Sequence, residues 1–415
     1  MKKPKVIETI IGDDGTLDRI SQLPDPLLVK ILSLLPKKDA FTTSVISKRW
    51  QHLWTCVVIS WKSLKTFKFN HGKLDDEVFV QSLSGCPALE TIELSSCRIF
   101  SRLEINNNFN LKSLKLEDCY VRFGRGCHSL KIIAPYVQHL EISGTIGDIK
   151  YYRLLDVSSL VSAELTFGIR CKMWSDYEDG ENYRCLDHHC IVQTLVKNYL
   201  QKLSHVTEQT IGSWFVEILF KLQLDRVPLP ELRCKCLTLK LQLTKCNFYG
   251  VASILQAFPR VETLNIDMQV NDRHHFHCRY DVSYLDKDDT IGLESWISNF
   301  AFRSLKSINI VCSFAMCLEE HRHKLFELSQ FLLKSALVLE KFLIIAKKRK
   351  CQHCSKKCVS PYLSQLAANW NVAGEAPPNL CWFSISRILM TRMHVVLFLR
   401  TLEMALHILS FRVHF

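Results

Sequence analysis

Apolar positions in this chain follow two different rhythms. Over residues 27–35, Leu27, Leu28, Ile31, Leu32 and Leu35 recur at spacings of one, three and four, the period of one wide helical stripe. Pro24 and Pro26 stand where a helix can begin, because a first turn needs no amide from them, and Pro36 stops it. Asp39 can cap a second short helix carrying Ala40, Thr43 and Ser44, since its carboxylate accepts from an orphan amide at a helix start. Ser47 can cap a third helix. In it Trp50, Leu53 and Trp54 recur at i, i+3 and i+4, while Lys48, Arg49, Gln51 and His52 mostly take the other side. Three helices in about forty residues are too few to bury a full core. Their exposed apolar remainder is expected to meet a partner surface.

The second rhythm starts at Leu64. LKTFKF at 64–69 is echoed by LETIELSSC at 89–97, LKSLKLEDC at 111–119, VQHLEIS at 137–143 and LVSAEL at 160–165. Starts at 64, 89, 111, 137 and 160 are 25, 22, 26 and 23 residues apart, inside the roughly 20 to 29 of leucine-rich repeats. Each copy reads apolar, two variable, apolar, one variable, apolar, and its last part alternates as a strand does, with Cys97 or Cys119 near the end of two copies. One such unit cannot bury its apolar face, so neighbours must stack into a solenoid with a parallel sheet on the concave side. The residues between the leucines then face outward. Glu90, Thr91 and Glu93 in one copy, and Lys112, Ser113 and Lys115 in the next, are therefore the candidate substrate-binding residues of the concave face.

Between residues 171 and 230 the register weakens, around an acidic, turn-rich SDYEDGENY at 175–183 and a helix-like stretch over 191–203. An insertion on one face of the solenoid is the simplest expectation. The pattern returns with KCLTLKLQL at 235–243, VETLNI at 261–266 and LKSINIVC at 305–312. In residues 325–345 a helical face of Leu325, Leu328, Phe331 and Leu332 precedes a repeat-like strand of Leu339, Phe342 and Ile344, suited to a closing cap. After Trp370 an apolar tail fits no repeat. Arg387, Arg392, Arg400 and Glu403 interrupt it before a membrane span accumulates. An amphipathic partner helix is one reading of the tail. A poorly ordered segment foreign to the repeat region, as an alternative splice form would supply, is the reading preferred here.

The string LPDPLLVKILSLLP at 23–36, followed by DAFTTSVISKRWQHLW at 39–54, resembles the F-box of plant proteins. The repeats, and the FBD-like residues 302–370, extend the resemblance to plant F-box/leucine-rich-repeat proteins over residues 18 to about 370. That resemblance implies a small three-helix F-box at 18–57 after a polar tail at 1–17. An irregular α/β solenoid at 58–301, the cap at 302–370 and the atypical tail at 371–415 follow. It also implies that Leu23, Pro24, Leu27, Ile31, Leu32, Val45 and Trp50 grip a Skp-type adaptor, itself attached to a cullin and a RING protein. The chain departs from the family in one further way. Its repeats follow Trp54 almost at once, through VVISWKSLKTF at 57–67, where the family generally has a longer stretch.

Composition agrees with a folded recruiter. At 415 residues and 47% hydrophobic, with 14 Gly and 12 Pro, the chain can bury a large core and holds no long flexible linker. Its polar start predicts no secretory signal, hence a cytosolic or nuclear protein whose 18 cysteines are thiols. The net charge of +12 comes from scattered Lys and Arg without a stacking module or zinc-finger spacing, so no nucleic-acid or membrane partner is expected. The basic run Lys347, Lys348, Arg349 and Lys350 reads equally as an import signal or a solvated edge.

No cofactor is expected. Cys351, Cys354 and Cys358, with His353, are weak zinc candidates, because their C-x-x-C pair has no second pair at the usual interval. Cys185, His188, His189 and Cys190, and His274, His275, His277 and Cys278, lack any recognised ligand spacing. No nucleophile with a positioned base is visible, so an enzyme is not expected. The resemblance implies the substrate-recognition subunit of an SCF ubiquitin ligase. Its alternatives are an adaptor-binding protein that presents no target, and a ligand-dependent receptor using the solenoid surface.

Overall fold

The computed structural model describes residues 23–34, 63–71, 79, 83, 85–99, 102–106, 108–121, 129–144, 151–168, 183–241, 245–268, 300–312, 319–347, 383–390 and 394–401. Two units divide the chain: residues 1–64 with 81–87, and residues 65–80 with 88–415.

In the first unit, helix α1 (Asp25–Leu34) begins where the prolines predict. The Pro24 carbonyl accepts from the amides of Leu27 (2.9 Å) and Leu28 (3.2 Å), and Asp25 puts a negative charge at the positive end of the helix. The second and third helices expected from the sequence, with Asp39, Val45, Ser47 and Trp50, lie outside the described residues.

The second unit is built on its repeats. Its first part runs β1 (Thr66–Asn70), β2 (Thr91–Ser95), β3 (Arg98–Ile99), β4 (Arg102–Glu104), β5 (Ser113–Glu117), β6 (Tyr120–Val121), β7 (Ser129–Ile133), β8 (His139–Ser143), β9 (Tyr151–Asp156) and β10 (Ser162–Leu165). Helices enter next. The chain continues through α2 (Tyr183–Lys202), β11 (Glu208–Gly212), α3 (Ser213–Leu224), β12 (Cys236–Leu241), α4 (Lys245–Ala257), β13 (Thr263–Met268), β14 (Ser307–Cys312), α5 (Glu319–Ser335), β15 (Lys341–Lys347), β16 (Phe383–Met390) and β17 (His394–Thr401). One sheet takes the order β1-β2-β5-β8-β10-β11-β12-β13-β14-β15-β17-β16. It is parallel from β1 to β15. Small parallel sheets, β3-β6 and β4-β7-β9, form from the segments between the early strands, and helices serve between the later ones.

Alternation within each strand decides which face is core. Ile92, Leu114, Leu140, Ala163, Leu237, Leu264, Ile308 and Phe342 form one buried row, and Leu94, Leu116, Ile142, Leu165, Ile211, Leu239, Ile266, Ile310 and Ile344 form the second. Rows two residues apart on every strand are what a period of two requires.

The insertion expected near 171–230 needs correction, because part of it is a repeat. Strand β11 takes its place between β10 and β12, with helices α2 and α3 on either side of it in sequence. Its first core position is Gln209 rather than an aliphatic residue. That side chain is buried and its amide donates to the Leu203 carbonyl at 3.0 Å, which satisfies it without a leucine. The tail also needs correction. Residues 383–390 and 394–401 form strands; β17 pairs antiparallel with β15 and β16 antiparallel with β17, so these two strands extend the sheet, β17 against the direction of the repeats and β16 with it. The helical face expected over Leu325, Leu328, Phe331 and Leu332 lies within α5, followed by β15 as the sequence pattern predicts.

Where strand-backed repeats give way to helix-backed ones, the core turns aromatic. Tyr152 on β9, Phe167, Tyr199 on α2, and Trp214 and Phe215 on α3 are all buried. Trp214 lies 4.9 Å from Phe167 and 5.5 Å from Phe215 between ring centroids. The Tyr152 hydroxyl donates to the Cys119 carbonyl at 3.1 Å, and the Tyr199 hydroxyl donates to the Tyr152 carbonyl. Burial holds both phenols well above their ordinary range, so they stay protonated and keep the protons they donate.

A column of left-handed residues follows the early strands: His71, Ser96, Asp118 and Gly144, with φ of 54°, 51°, 48° and 96°. Their amides step from one repeat to the next, Ser96 to the Glu117 carbonyl and Asp118 to the Ser143 carbonyl. At Gly144 a Cβ would come within 2.4 Å of Asp118 Oδ1 and 2.6 Å of its amide nitrogen. Gly144→Ala is therefore expected to cost about 2 kcal/mol or more, from the left-handed penalty and the clash together. Urea denaturation followed by circular dichroism measures it, and an unchanged midpoint would show that the turn can shift freely.

Candidate docking surfaces

Helix α1 divides its apolar stripe in two. Leu28 and Leu32 are buried, whereas Leu27 and Ile31, one turn apart, are 50% and 38% exposed. An i, i+4 pair forms a continuous ridge on a helix. Two aliphatic side chains left out beside two taken in are a surface suited to a partner rather than a scattered exposure. Leu23 is half-buried and Pro24 is exposed at the start of the same helix, and Leu32, grouped with these residues in the sequence, lies on the inward side. Val45 and Trp50 lie outside the described residues.

On the repeats, the face of the sheet opposite the core carries the polar half of the alternation. Thr91, Glu93, Ser113 and Lys115 are half-exposed on β2 and β5, and Glu90 and Lys112 stand one residue ahead of those strands. Parallel register sets equivalent residues side by side. Ahead of the strands, Glu90 lies between Lys65 (3.3 Å) and Lys112 (3.4 Å), and Glu262 lies between Lys235 (4.0 Å) and Lys306 (2.9 Å). Lys65 and then Lys112 hold the Glu90 carboxyl below its ordinary range, and Lys306 does the same for Glu262.

Along the strand centres run Lys68, Glu93, Lys115, Glu141 and Glu164, then Thr210, Thr238, Asn265 and Asn309. Lys68 pairs with Glu93 and Lys115 with Glu141, both at 2.7 Å. The Glu141 carboxylate holds the Lys115 ammonium above its ordinary range. Further along, Asn309 donates to Asn265 Oδ1 (2.8 Å) and Asn265 donates to Thr238 Oγ1 (3.3 Å). Such exposed pairs are each worth no more than about 1 kcal/mol. At the strand centres alone, the row is ionic from β1 to β10 and neutral from β11 to β14.

The sequence reading did not single out the exposed aromatic residues in the turns ahead of these strands. Phe109 is 70% exposed, and its ring lies 4.7 Å from that of Tyr136 in the equivalent turn of the next repeat. The signal available was an aromatic residue in a turn where the copy ahead of β10 carries Ser158 and Ser159.

Cysteines on the repeats are packing groups. Cys97, Cys119, Cys234 and Cys312 are buried thiols, and Cys119 donates to the Leu94 carbonyl at 3.2 Å. The Cys97 thiol beside it, and burial, push the Cys119 thiol up, and burial pushes Cys234 up to about 12, which leaves both poor nucleophiles. Among the described residues no group of three or more His, Cys, Asp or Glu could hold a metal ion. Cys351, His353, Cys354 and Cys358, and the cluster at His274, His275, His277 and Cys278, lie outside the described residues. Cys185, His188, His189 and Cys190 fall in the first turns of α2. Among the described residues no helix is long and apolar enough to cross a membrane.

The F-box domain pattern matches residues 20–62. Three Arabidopsis thaliana proteins whose names describe them as F-box/LRR-repeat proteins are similar to most of the chain. They are 29% identical over 366 residues, 28% over 253 and 27% over 401. These alignments take in 64%, 60% and 72% of this chain, and 74%, 48% and 81% of the respective relatives.

Proposed function

We propose, since this chain belongs with the plant F-box/LRR-repeat proteins, that it is the substrate-recognition subunit of an SCF (Skp-cullin-F-box) ubiquitin ligase. The observation that carries the proposal is the F-box match at 20–62 together with the Leu27–Ile31 ridge exposed on its helix. That ridge, with Leu23, Pro24, Val45 and Trp50 of the same module, docks on a Skp-type adaptor and through it on cullin and RING protein, while the buried Leu32 holds the helix from its inward side. The outward sheet face, where Glu90, Thr91, Glu93, Lys112, Ser113 and Lys115 lie, holds the target.

No residue of this chain needs to react. Its contribution is to hold a target lysine near the ubiquitin-loaded enzyme, which converts an encounter between free molecules into a local one. This role requires the cytosol or the nucleus as the working compartment.

The test is co-expression of the full chain with a Skp-type adaptor, followed by affinity capture and size-exclusion chromatography. A stoichiometric complex that survives the column is the expected result. Absence of a complex with a well-folded chain would sink the ligase reading. A complex that assembles with cullin and RING protein but changes the ubiquitylation of no captured partner would point instead to a protein that occupies the adaptor unproductively.

A further inference from the structure

Cations gather in the turns ahead of β12, β13 and β14, where Arg233, Lys235, Arg260, Arg303 and Lys306 are all exposed. Backbone hydrogen bonds hold these turns side by side. The Glu262 amide donates to the Lys235 carbonyl and the Lys306 amide to the Glu262 carbonyl, both at 2.9 Å. Carboxylates serve only part of the group. Arg260 pairs with Glu231, Lys306 and Lys235 share Glu262, and Glu340 ahead of β15 also attracts Lys306. Arg233 and Arg303 pair with no carboxylate among the described residues. The negative end of α5 adjoins the Arg303 turn, since the Phe302 amide donates to the Ser335 carbonyl at 2.8 Å. Lys334 already supplies a cation in the last turn of that helix, and such an end is worth no more than about 1 kcal/mol at an exposed site.

The next turn along the sheet is apolar. Phe302 and Ala336 form a parallel bridge and the Leu337 amide donates to the Phe302 carbonyl at 3.1 Å, which sets Leu337 beside Arg303 and Val338 beside Ser304. Leu337 is 49% and Val338 44% exposed. Strands lie about 4.8 Å apart, so the Arg233 and Arg303 turns are about 10 Å apart and the Leu337 turn lies one spacing further. About 14 Å in all is the length of four or five extended residues.

We propose that these turns bind an acidic, extended segment of the target protein, with carboxylates on Arg233 and Arg303 and an adjoining apolar residue on Leu337 and Val338. Charge complementarity selects the acidic residues, because a guanidinium with no carboxylate of its own offers a planar fork of donors to one. The apolar pair selects a protein. A nucleic-acid backbone would engage the arginines and leave Leu337 and Val338 uncovered, whereas a polypeptide covers both. The inference rests on the substrate-receptor reading and names the chemistry of the target.

A direct test uses the full chain and three fluorescein-labelled ten-residue peptides read by fluorescence polarisation. The first carries four alternating Glu and Asp followed by two Leu, the second has Gln and Asn for the acids, and the third has Ala for both Leu. The first is expected to bind at least about tenfold more tightly than the second and about threefold more tightly than the third, with affinity falling as salt is raised. Arg233→Ser with Arg303→Ser should remove the preference for acid over amide at an unchanged melting temperature, since both side chains are exposed. Leu337→Ser with Val338→Ser should remove the preference for Leu over Ala. Lys131→Gln with Arg153→Gln takes two charges from register partners on β7 and β9 and should leave both preferences intact. If it weakens the acidic peptide as much as the Arg233/Arg303 variant does, the attraction is only the +12 excess of the whole chain and the proposal fails. Equal binding of the first two peptides overturns it. So does a ten-nucleotide single strand that binds as tightly as the first peptide and ignores the Leu337/Val338 variant. Self-association that disappears in the Arg233/Arg303 variant also overturns it, because the acidic run at 175–183 of a second copy would then be the occupant. Adaptor capture is measured on the same preparations. Peptide selectivity without capture would sink the ligase reading alone, and capture without selectivity would sink this inference alone.

Discussion

Truncating Trp214 to alanine is expected to lower the stability of the repeat unit by about 3 to 5 kcal/mol, the range for a fully buried Trp whose cavity cannot collapse. Collapse is blocked on several sides. Phe167, Tyr199 and Phe215 all pack on the indole, and Tyr199 is itself fixed by its hydrogen bond to the Tyr152 carbonyl. The indole marks the change from strand-backed to helix-backed repeats, and in a stacked array each repeat is held only by its neighbours. A cavity there should therefore uncouple the two halves, splitting one unfolding transition into two. Trp214→Phe separates packing from polarity. The indole N–H is buried with no hydrogen-bond partner among the described residues, so Phe removes an unsatisfied donor while leaving a smaller void, and a loss within about 2 kcal/mol is expected. Urea denaturation read by circular dichroism measures both variants. A Trp214→Ala midpoint equal to wild type would show that the aromatic junction does not couple the halves.

Legibility from sequence followed the directness of the physical signal. The copies at 89, 111, 137 and 160 were readable because their apolar residues are the core rows themselves, and the copy at 64 repeats the same pattern at the edge of the sheet, so β1, β2, β5, β8 and β10 fall where the pattern predicts. Strand β11 was hidden by a single exchange. Gln209 occupies a core position and is satisfied by a backbone carbonyl that only the folded neighbour supplies. The strands behind the early repeats, such as β7 and β9, are short alternating runs that periodicity cannot distinguish from buried helix. The tail misled for a related reason. Arg387 and Arg400 break the apolar run in the sequence, but runs of eight residues are enough for the two strands at 383–390 and 394–401 and too short for a helix crossing a membrane. As for sites, the residues between the leucines were predictable by alternation. The Phe109–Tyr136 pair was not, because only coordinates show two turns in different repeats meeting.

Replacing Leu27 and Ile31 together by glutamate should reduce capture of a Skp-type adaptor at least about a thousandfold, equivalent to roughly 4 kcal/mol. Each aliphatic side chain still has about half of its surface to bury in a complex, on the order of 1 kcal/mol apiece. The larger effect is the carboxylates, which would enter an apolar interface without partners at a cost of several kcal/mol. Glutamate is chosen because it keeps helix propensity, and at position 27 it lies in the first turn of α1, whose amino end carries positive potential. Since both positions are exposed in the free chain, the variant should melt within about 0.5 kcal/mol of wild type. Leu28→Glu provides the contrast. Leu28 is buried, so a charge there should destabilise the first unit itself, and adaptor binding would fall only as the unit unfolds. Loss of capture with an intact fold in the Leu27/Ile31 variant, against loss of both in Leu28→Glu, separates an interface from a core. If the double glutamate variant is captured as well as wild type, the exposed ridge of α1 is not the adaptor contact, and the F-box must engage through another face.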